Sequence, residues 1–472
     1  MGALEQALSL IEKADPKKTL PSCLIREIDI SEHALSTVAN VVSNYLPHNS
    51  HLAIIVDSTK ILREQLDVKK FIRDLLAQKF EVTYIELSDG HTELHASEAV
   101  IADATLQSQE CSGIVSIGGG TITDIAKMTS CALNNIPHIV IQTVASVDGF
   151  TDNVSVIQKN GVKRTVPSRW PEAILADTRL VAQAPEAMNR AGYGEINSMF
   201  TAPADWRLAA LLGFEKNFHW GPIELLRGVG LGIEEWAPGL KGSDPQSIEK
   251  LVTALAIRGI VTGVAGTTAC LSGIEHIVSH MLDMHQTAHS LQVGQHGAQV
   301  GVGSIVAACV WEVIFEELPK LQGCEYPVID EALLKNKTFT AFHDLDPSDQ
   351  IAQECWQDYQ KKIQCWQENQ VAINSVLRNW SEISNELRTL IKTPEEIVSG
   401  LVSAGSPALF KDLDPPIRDD VAYWSIENAH LMRNRFVGTD LLEFLGLWDK
   451  AQINRVQIRM KQAIERAGKN YE

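Results

Sequence analysis

The sequence predicts an α/β N-terminal domain with a parallel, Rossmann-like sheet, followed by an all-α domain. Three observations lead there. Over roughly the first 185 residues, short apolar runs alternate with helical stretches, the pattern of crossover units in a parallel sheet. One of those runs breaks into three consecutive glycines just before a helix-like pattern. From about Pro185 onward only helical periodicity remains.

In chain order, "HLAIIVD" (51–57) reads as a strand and 59–78 as a helix. "FEVTYIEL" (80–87) is a strand and 95–108 a helix. "GIVSI" (113–117) is a strand, 122–135 a helix, and "HIVIQT" (138–143) a strand again. "NVSVIQKNGVKRTV" (153–166) alternates around Asn160-Gly161, the signature of a hairpin. After "AILADTRLVAQAP" the grammar turns helical. The expected domains are therefore 1–184, a dinucleotide-binding α/β unit, and 185–472, a helical unit. Within the second, 320–350 reads as an irregular, loop-rich insertion. Helices resume at "CWQDYQKKIQCWQENQ" and run to "RVQIRMKQAIERAGK".

Composition narrows the function. The 472 residues are 45% apolar and 21% charged, ordinary for a globular chain. The 41 basic residues against 59 acidic ones give a formal charge of −18, which argues against nucleic acid as a main partner. It leaves room for a small basic pocket that holds a phosphate. No run of about 18 apolar residues stands out, so no membrane span is expected. The start "MGALEQALSLIEKADPKK" lacks a signal-peptide layout. Eight scattered cysteines, with no C-x-x-C pair, suit reduced thiols in a cytoplasmic protein.

The glycine stretch is "GIVSIGGGTITDIAK", Gly113 to Lys127. Bare backbone after a buried strand lets a rigid ligand approach N–H groups, and the following helix start favours an anion such as a pyrophosphate. A tight strand-to-helix turn without any ligand would use the same residues. The stretch matches neither the G-x-G-x-x-G fingerprint nor a P-loop. Its companions sharpen the reading. Thr143, Ser146 and Asp148 follow the next strand, at the carboxyl edge where open parallel sheets bind ligands. Asp57 ends an earlier strand, placed either to accept ribose hydroxyls or to serve as an ordinary turn carboxylate.

Of 14 histidines, five fall between 276 and 296: His276, His280, His285, His289 and His296. His276 and His280 share a helix face at i, i+4 spacing. His296 stands beside glycines in "GQHGAQVGVGS", and "AGYGEINSMF" puts Glu195 at the start of a long helix. Two imidazoles and one carboxylate make an open metal site. Helix-surface or core histidines satisfied by hydrogen bonds would give the same pattern.

Taken together, "SIGGGTITDIAK", "QTVASVDGF", "AGYGEINSMFTAPADWRLA", "SGIEHIVSHMLDM", "QHGAQVGVGS" and "RNRFVGTDLLEFLGLWD" resemble the sn-glycerol-1-phosphate dehydrogenases. The resemblance is to the AraM-like branch of the iron-containing alcohol dehydrogenase and dehydroquinate-synthase-like superfamily. It spans roughly 20–315 and 350–450. It implies NAD or NADP along the glycine turn and a divalent metal, zinc, nickel or iron, in the helical domain. Gly118, Gly119 and Gly120 would contact the cofactor pyrophosphate, with Asp124 and Lys127 in the same motif. Thr143, Ser146 and Asp148 would lie beside nicotinamide and substrate. His276 and His296 match the two histidine ligands, with His280 behind them. The third ligand departs from the pattern: the dehydrogenases carry Asp after "AG-x-G", and this chain carries Glu195. The extra methylene displaces the carboxylate by about 1.5 Å unless the backbone adjusts.

The implied reaction reduces dihydroxyacetone phosphate to sn-glycerol 1-phosphate, or acts on a similar polyol or ketose phosphate. Asp148 and Lys163 are the residues assigned to the reacting centre. Lys163, with Arg164 and Arg169 in "NGVKRTVPSRW", supplies cations for the phosphate, although a solvated basic hairpin would look the same. Dehydroquinate-synthase-like proteins also use a Glu with two His. A cyclase or lyase that uses NAD transiently therefore stays open, as does a non-catalytic nucleotide-binding descendant. A homo-oligomer is expected, since helical second domains of this size often associate.

Overall fold

The computed structural model describes residues 2–91, 94–159, 162–321 and 326–469, with backbone alone at Val162, Lys163 and Lys469. Its strands are β1 (Glu27–Ser31), β2 (His51–Val56), β3 (Leu62–Arg63), β4 (Leu66–Asp67), β5 (Glu81–Glu86), β6 (Gly113–Gly118), β7 (His138–Gln142), β8 (Val154–Lys159), β9 (Val162–Pro167) and β10 (Ala173–Asp177). Six of them form one all-parallel sheet in the order β1-β10-β7-β6-β2-β5. Parallel strands need both faces covered, and this sheet has an apolar core on each. Ile54, Val56, Val115, Ile141 and Leu175 pack with the helices Ala34–Ser43 and Val68–Leu76. Ala53, Ile55 and Ile114 pack with Glu98–Gln107 and Gly120–Ala132.

The strand order fixes where a ligand would go. The chain passes from β2 outward to β5, then returns to the other side of β2 as β6. The order therefore reverses between β2 and β6, and at such a switch point the carboxyl ends of the strands part to leave a crevice. Asp57 follows β2 and Gly118 ends β6.

Several expectations need correction. The helix expected at 59–78 spans only Val68–Leu76. Before it, β3 and β4 pair as a two-residue hairpin that turns at Glu64, where φ is +57°. Asp67 then caps the helix by accepting the Lys70 N–H at 3.0 Å. The edge strand β1 and the helices Ala3–Ala14 and Ala34–Ser43 had no counterpart in the sequence reading. "EIDIS" alternates polar and apolar residues, but over only five positions, and β1 is half-buried throughout. The stretch 320–350 is not all loop, because Glu331–Phe342 is a helix capped by Asp330. β8 and β9 pair antiparallel as expected of the hairpin; its turn, Asn160-Gly161, lies outside the described residues.

The chain groups into two compact units, but not at 184/185. The first takes Met1–Gly192 and Trp220–Thr267, and the second takes Tyr193–His219 and Thr268–Glu472. The helix Pro245–Ala265 belongs with the sheet because it packs on the helices Ala3–Ala14, Thr178–Ala182 and Trp220–Gly230. Gly263 faces Trp170, where a Cβ would lie 2.1 Å from the ring. That helix is buried on nearly every side from Ser247 to Ala265, so its sequence does not reveal which core it joins.

One helix, extended by a 3₁₀ turn to His296–Leu321, is long and apolar enough to cross a membrane, contrary to the expectation that no such run exists. It is the core helix of the second unit, with 94% of its apolar window buried.

Candidate metal centre and glycine turn

In the first unit, β6 runs through Gly118 straight into the helix Gly120–Ala132, with Gly119 as its N-cap residue. Glycine offers no side-chain acceptor, so the first N–H groups of this helix keep their donor capacity for something else. The three glycines are not equivalent. A Cβ at Gly118 would press on Ile122 at 3.0 Å, and one at Gly120 would meet Val147 at 2.9 Å. At Gly119 the nearest atom would be Val144 Cγ1 at 3.5 Å, an ordinary contact. Packing within the chain thus explains two glycines and leaves Gly119 unexplained.

Beside this turn, the Thr143 N–H donates to the Gly118 carbonyl at 3.3 Å. Thr143 and Ser146 are buried. Asp148 is held by Arg258 from the helix Pro245–Ala265, whose Nε and Nη2 lie 3.2 and 3.1 Å from Asp148 Oδ2. Arg258 is fully buried, and no sequence pattern had marked it.

Other expected site residues are placed differently. Asp124 turns inward: Lys127 lies 3.1 Å away and the Val156 N–H donates to it at 3.1 Å. These contacts tie Asp124 to its own helix and to β8. Lys127 also binds Asp152 (2.6 Å), the Gly149 carbonyl (2.9 Å) and the Val154 carbonyl. Burial works against the Lys127 charge, but Asp152 and Asp124 outweigh it and hold its pKa above the usual value. Burial pushes Asp152 up to about 7 despite Lys127. The Asp57 carboxylate accepts from Lys69 Nζ (2.9 Å), the Thr59 N–H (3.0 Å) and Thr59 Oγ1 (3.1 Å). Arg169 is engaged by Glu172, Ser130 Oγ and the Ile136 and Trp170 carbonyls. The Lys163 side chain lies outside the described residues.

In the second unit, Glu195, His276 and His296 converge. Their ligand atoms lie within 4.8 Å of one another. Glu195 Oε1 is 3.3 Å from His276 Nε2, and Oε2 is 3.7 Å from His296 Nε2. Glu195 and His276 are buried, His296 partly so. Glu195 comes near the end of its helix, Glu186–Ile196, not at the start as expected. His276 opens the helix Ile274–Ala288, and His296 is the first residue of His296–Glu317.

Glycines set these distances. A Cβ at Gly194 would lie 2.2 Å from the Gly297 carbonyl, and one at Gly301 would lie 2.9 Å from Gly194 Cα. A Cβ at Gly303 would lie 2.5 Å from the Glu275 carbonyl. Three helices touch backbone to backbone, and the three donors project from the contact.

The far ring nitrogens are also engaged. Glu275 Oε1 lies 3.0 Å from His276 Nδ1 and accepts the Gly273 N–H at 2.6 Å, while Thr201 Oγ1 donates to Oε2 at 2.9 Å. Ser279 Oγ lies 3.0 Å from His296 Nδ1 and donates to Gln299 Oε1 at 2.7 Å. Such outer contacts fix ring orientation and aim Nε2 at a common point. Burial opposes a charge on His276, but Glu195 and Glu275 prevail and raise its pKa to about 9. The site is built to hold positive charge. His280 stacks on His296 at 5.4 Å and groups with Asp283 and His296, beside the main cluster.

The family model described as iron-containing alcohol dehydrogenase matches residues 29–185. The curated "Glycerol-1-phosphate dehydrogenase [NAD(P)+]" of Pyrococcus abyssi is 30% identical over 298 residues, covering 62% of this chain and 82% of that one. The chain belongs to the glycerol-1-phosphate dehydrogenase family, a branch of the iron-containing alcohol dehydrogenases. The protein of the same name from Pyrococcus furiosus is 28% identical over 301 residues, covering 63% and 82%. The fold agrees with two solved structures. Glycerol dehydrogenase from Schizosaccharomyces pombe has a TM-score of 0.58 at 16% identity, covering 94% of this chain and 90% of that one. A probable glycerol dehydrogenase from Sinorhizobium meliloti 1021 has a TM-score of 0.56 at 15% identity, covering 94% and 98%.

In this family member the sequence reading missed Glu275, Ser279 and Arg258. Glu275 was within reach, since it adjoins His276 in "SGIEH", but adjacency on a helix does not reveal that its carboxylate folds back onto the ring.

Proposed function

We propose that the chain is a metal-dependent, NAD(P)-linked dehydrogenase that interconverts dihydroxyacetone phosphate and sn-glycerol 1-phosphate, or a closely similar polyol phosphate. The observation that carries this is the convergence of Glu195, His276 and His296, each imidazole backed by its own partner. One carboxylate and two imidazoles are a donor set that fits a divalent ion such as zinc, nickel or iron. An ion held there supplies Lewis acidity to a substrate oxygen, and the nicotinamide supplies or accepts the hydride.

The chain's own residues do the rest. In the reducing direction the ketone carbon gains a hydride and its oxygen a proton, so the oxygen must be held and charge around it kept fixed. Gly119 leaves the helix start bare for a pyrophosphate. Thr143 and Ser146 are buried polar residues that we assign to the nicotinamide and the substrate. Asp148 is oriented by Arg258, whose Nε and Nη2 both reach Oδ2. The Lys127 ties to Gly149 and Val154 hold the segment that carries Asp148. Lys163 and Arg164 on β9 are the cations we assign to the substrate phosphate.

The test is NADH and NADPH consumption with dihydroxyacetone phosphate by metal-replete protein, paired with metal analysis. His276→Ala and His296→Ala should each lose bound metal and turnover, while His280→Ala keeps most of both. A metal-replete parent that consumes neither nucleotide would overturn the reading. A cyclase using NAD transiently would behave that way.

A further inference from the structure

A second donor cluster lies in the first unit, on the loop that leaves the carboxyl end of β5. One ligand atom from each of Asp89, His91 and His95 falls within 4.8 Å of the other two. None of these residues belongs to the glycine turn or to the Glu195 cluster. The loop is organised around one carboxylate. Asp89 Oδ1 accepts the His91 N–H at 3.1 Å, and Oδ2 accepts the His95 N–H at 3.0 Å. Asp89 Oδ2 also stands 2.7 Å from His95 Nδ1. Gly90, with φ at +82°, makes the turn that brings His91 back toward its neighbour. The two imidazoles meet edge to face with ring centroids 5.2 Å apart. The base of the loop is anchored, because the Leu87 N–H donates to the Val56 carbonyl at 2.8 Å.

We propose that Asp89, His91 and His95 form a second metal site, selective for a borderline divalent ion such as Zn²⁺, Ni²⁺ or Co²⁺ over Mg²⁺ or Ca²⁺. Imidazole and carboxylate together suit the former ions, whereas the latter call for an all-oxygen shell. In a tetrahedral site with metal–ligand bonds of about 2.0–2.2 Å, neighbouring donors sit roughly 3.3–3.6 Å apart. The donor atoms already lie within 4.8 Å of one another, and His91 is exposed and His95 half-buried, so the rings have room to turn inward. The backbone N–H bonds to Asp89 tie His91 and His95 to the same carboxylate. With three protein donors the remaining position is left to water.

This inference does not depend on the proposed dehydrogenase function, and its experiment removes the first site. Full-length protein carrying Glu195→Gln, His276→Ala and His296→Ala is titrated with Zn²⁺ against a chromophoric chelator. One equivalent should still bind, and adding His91→Ala or His95→Ala should weaken it at least tenfold. Mg²⁺ should not compete. In the otherwise unaltered protein, replacing His91 and His95 together should remove one zinc equivalent, with the melting temperature of the metal-free protein unchanged. This second measurement decides the matter if the triple variant does not fold. No zinc bound in the cluster-free protein, or binding that ignores His91 and His95, would overturn the proposal.

Discussion

Shortening Glu195 by one methylene asks how rigidly its helix is held. Glu195→Asp withdraws the carboxylate by about 1.5 Å. The helix cannot follow, because Gly194 already rests against the Gly297 carbonyl and Gly301. Glu195→Asp should therefore bind metal at least tenfold more weakly, as equilibrium dialysis would show, and Glu195→Gln more weakly still. Gly119 gives the complementary test of the turn. A Cβ there meets only Val144 at 3.5 Å, so Gly119→Ala should keep the parent's melting temperature while weakening NADH binding severalfold. Equal NADH affinity in a fluorescence titration would make the turn purely structural. Residues of this kind were legible in the sequence because chemistry named them: glycines after a strand, His and Glu at metal-like spacing. The partners of Asp124 were not legible, because its motif lies on a helix with two buried faces. Nothing in "TDIAK" says that Asp124 pairs with Lys127 instead of facing the turn.

At the scale of elements, the metal donors are only as well placed as three helix contacts allow. Gly194→Ala would put a methyl 2.2 Å from the Gly297 carbonyl, and Gly303→Ala would put one 2.5 Å from the Glu275 carbonyl. Each should cost about 1–3 kcal/mol of stability in denaturant unfolding, as overpacking does. Each should also weaken metal binding without touching a ligand. The control is Gly149→Ala, where a Cβ meets nothing within 4 Å. The sequence "HGAQVGVGS" carried this information as glycines at i, i+4 and i+6 in a helix, where glycine disfavours helix and needs a packing reason. It could not name the partner helices. The division into units failed for a similar reason. Periodicity identified the helix Pro245–Ala265, but a helix buried all round has no polar face to show which way it sits.

At the scale of the whole molecule, each unit buries a histidine that stays neutral. Burial, with Arg169 and Lys127 nearby, pushes His138 down to about 3 in the first unit. In the second, burial outweighs Glu443 and holds His430 near 4. Between pH 6.5 and these values the unfolded chain binds more protons than the folded one. Their contribution to stability is thus fully present above 6.5 and is lost as the pH falls. Each group should lower the unfolding free energy by up to about 1.4 kcal/mol per pH unit in that window. Urea midpoints at pH 7.5 and 5 would measure it, and His138→Asn should flatten the dependence. The long apolar helix of the second unit bears on how the chain is made. His296–Leu321 leaves the ribosome before the helices Pro394–Ala404 and Lys450–Lys469 that pack against it. For that interval the nascent chain displays a segment with the hydropathy of a membrane anchor. Chaperone dependence and proteolytic loss should therefore rise steeply when the last helix is removed, even though that helix carries none of the candidate site residues.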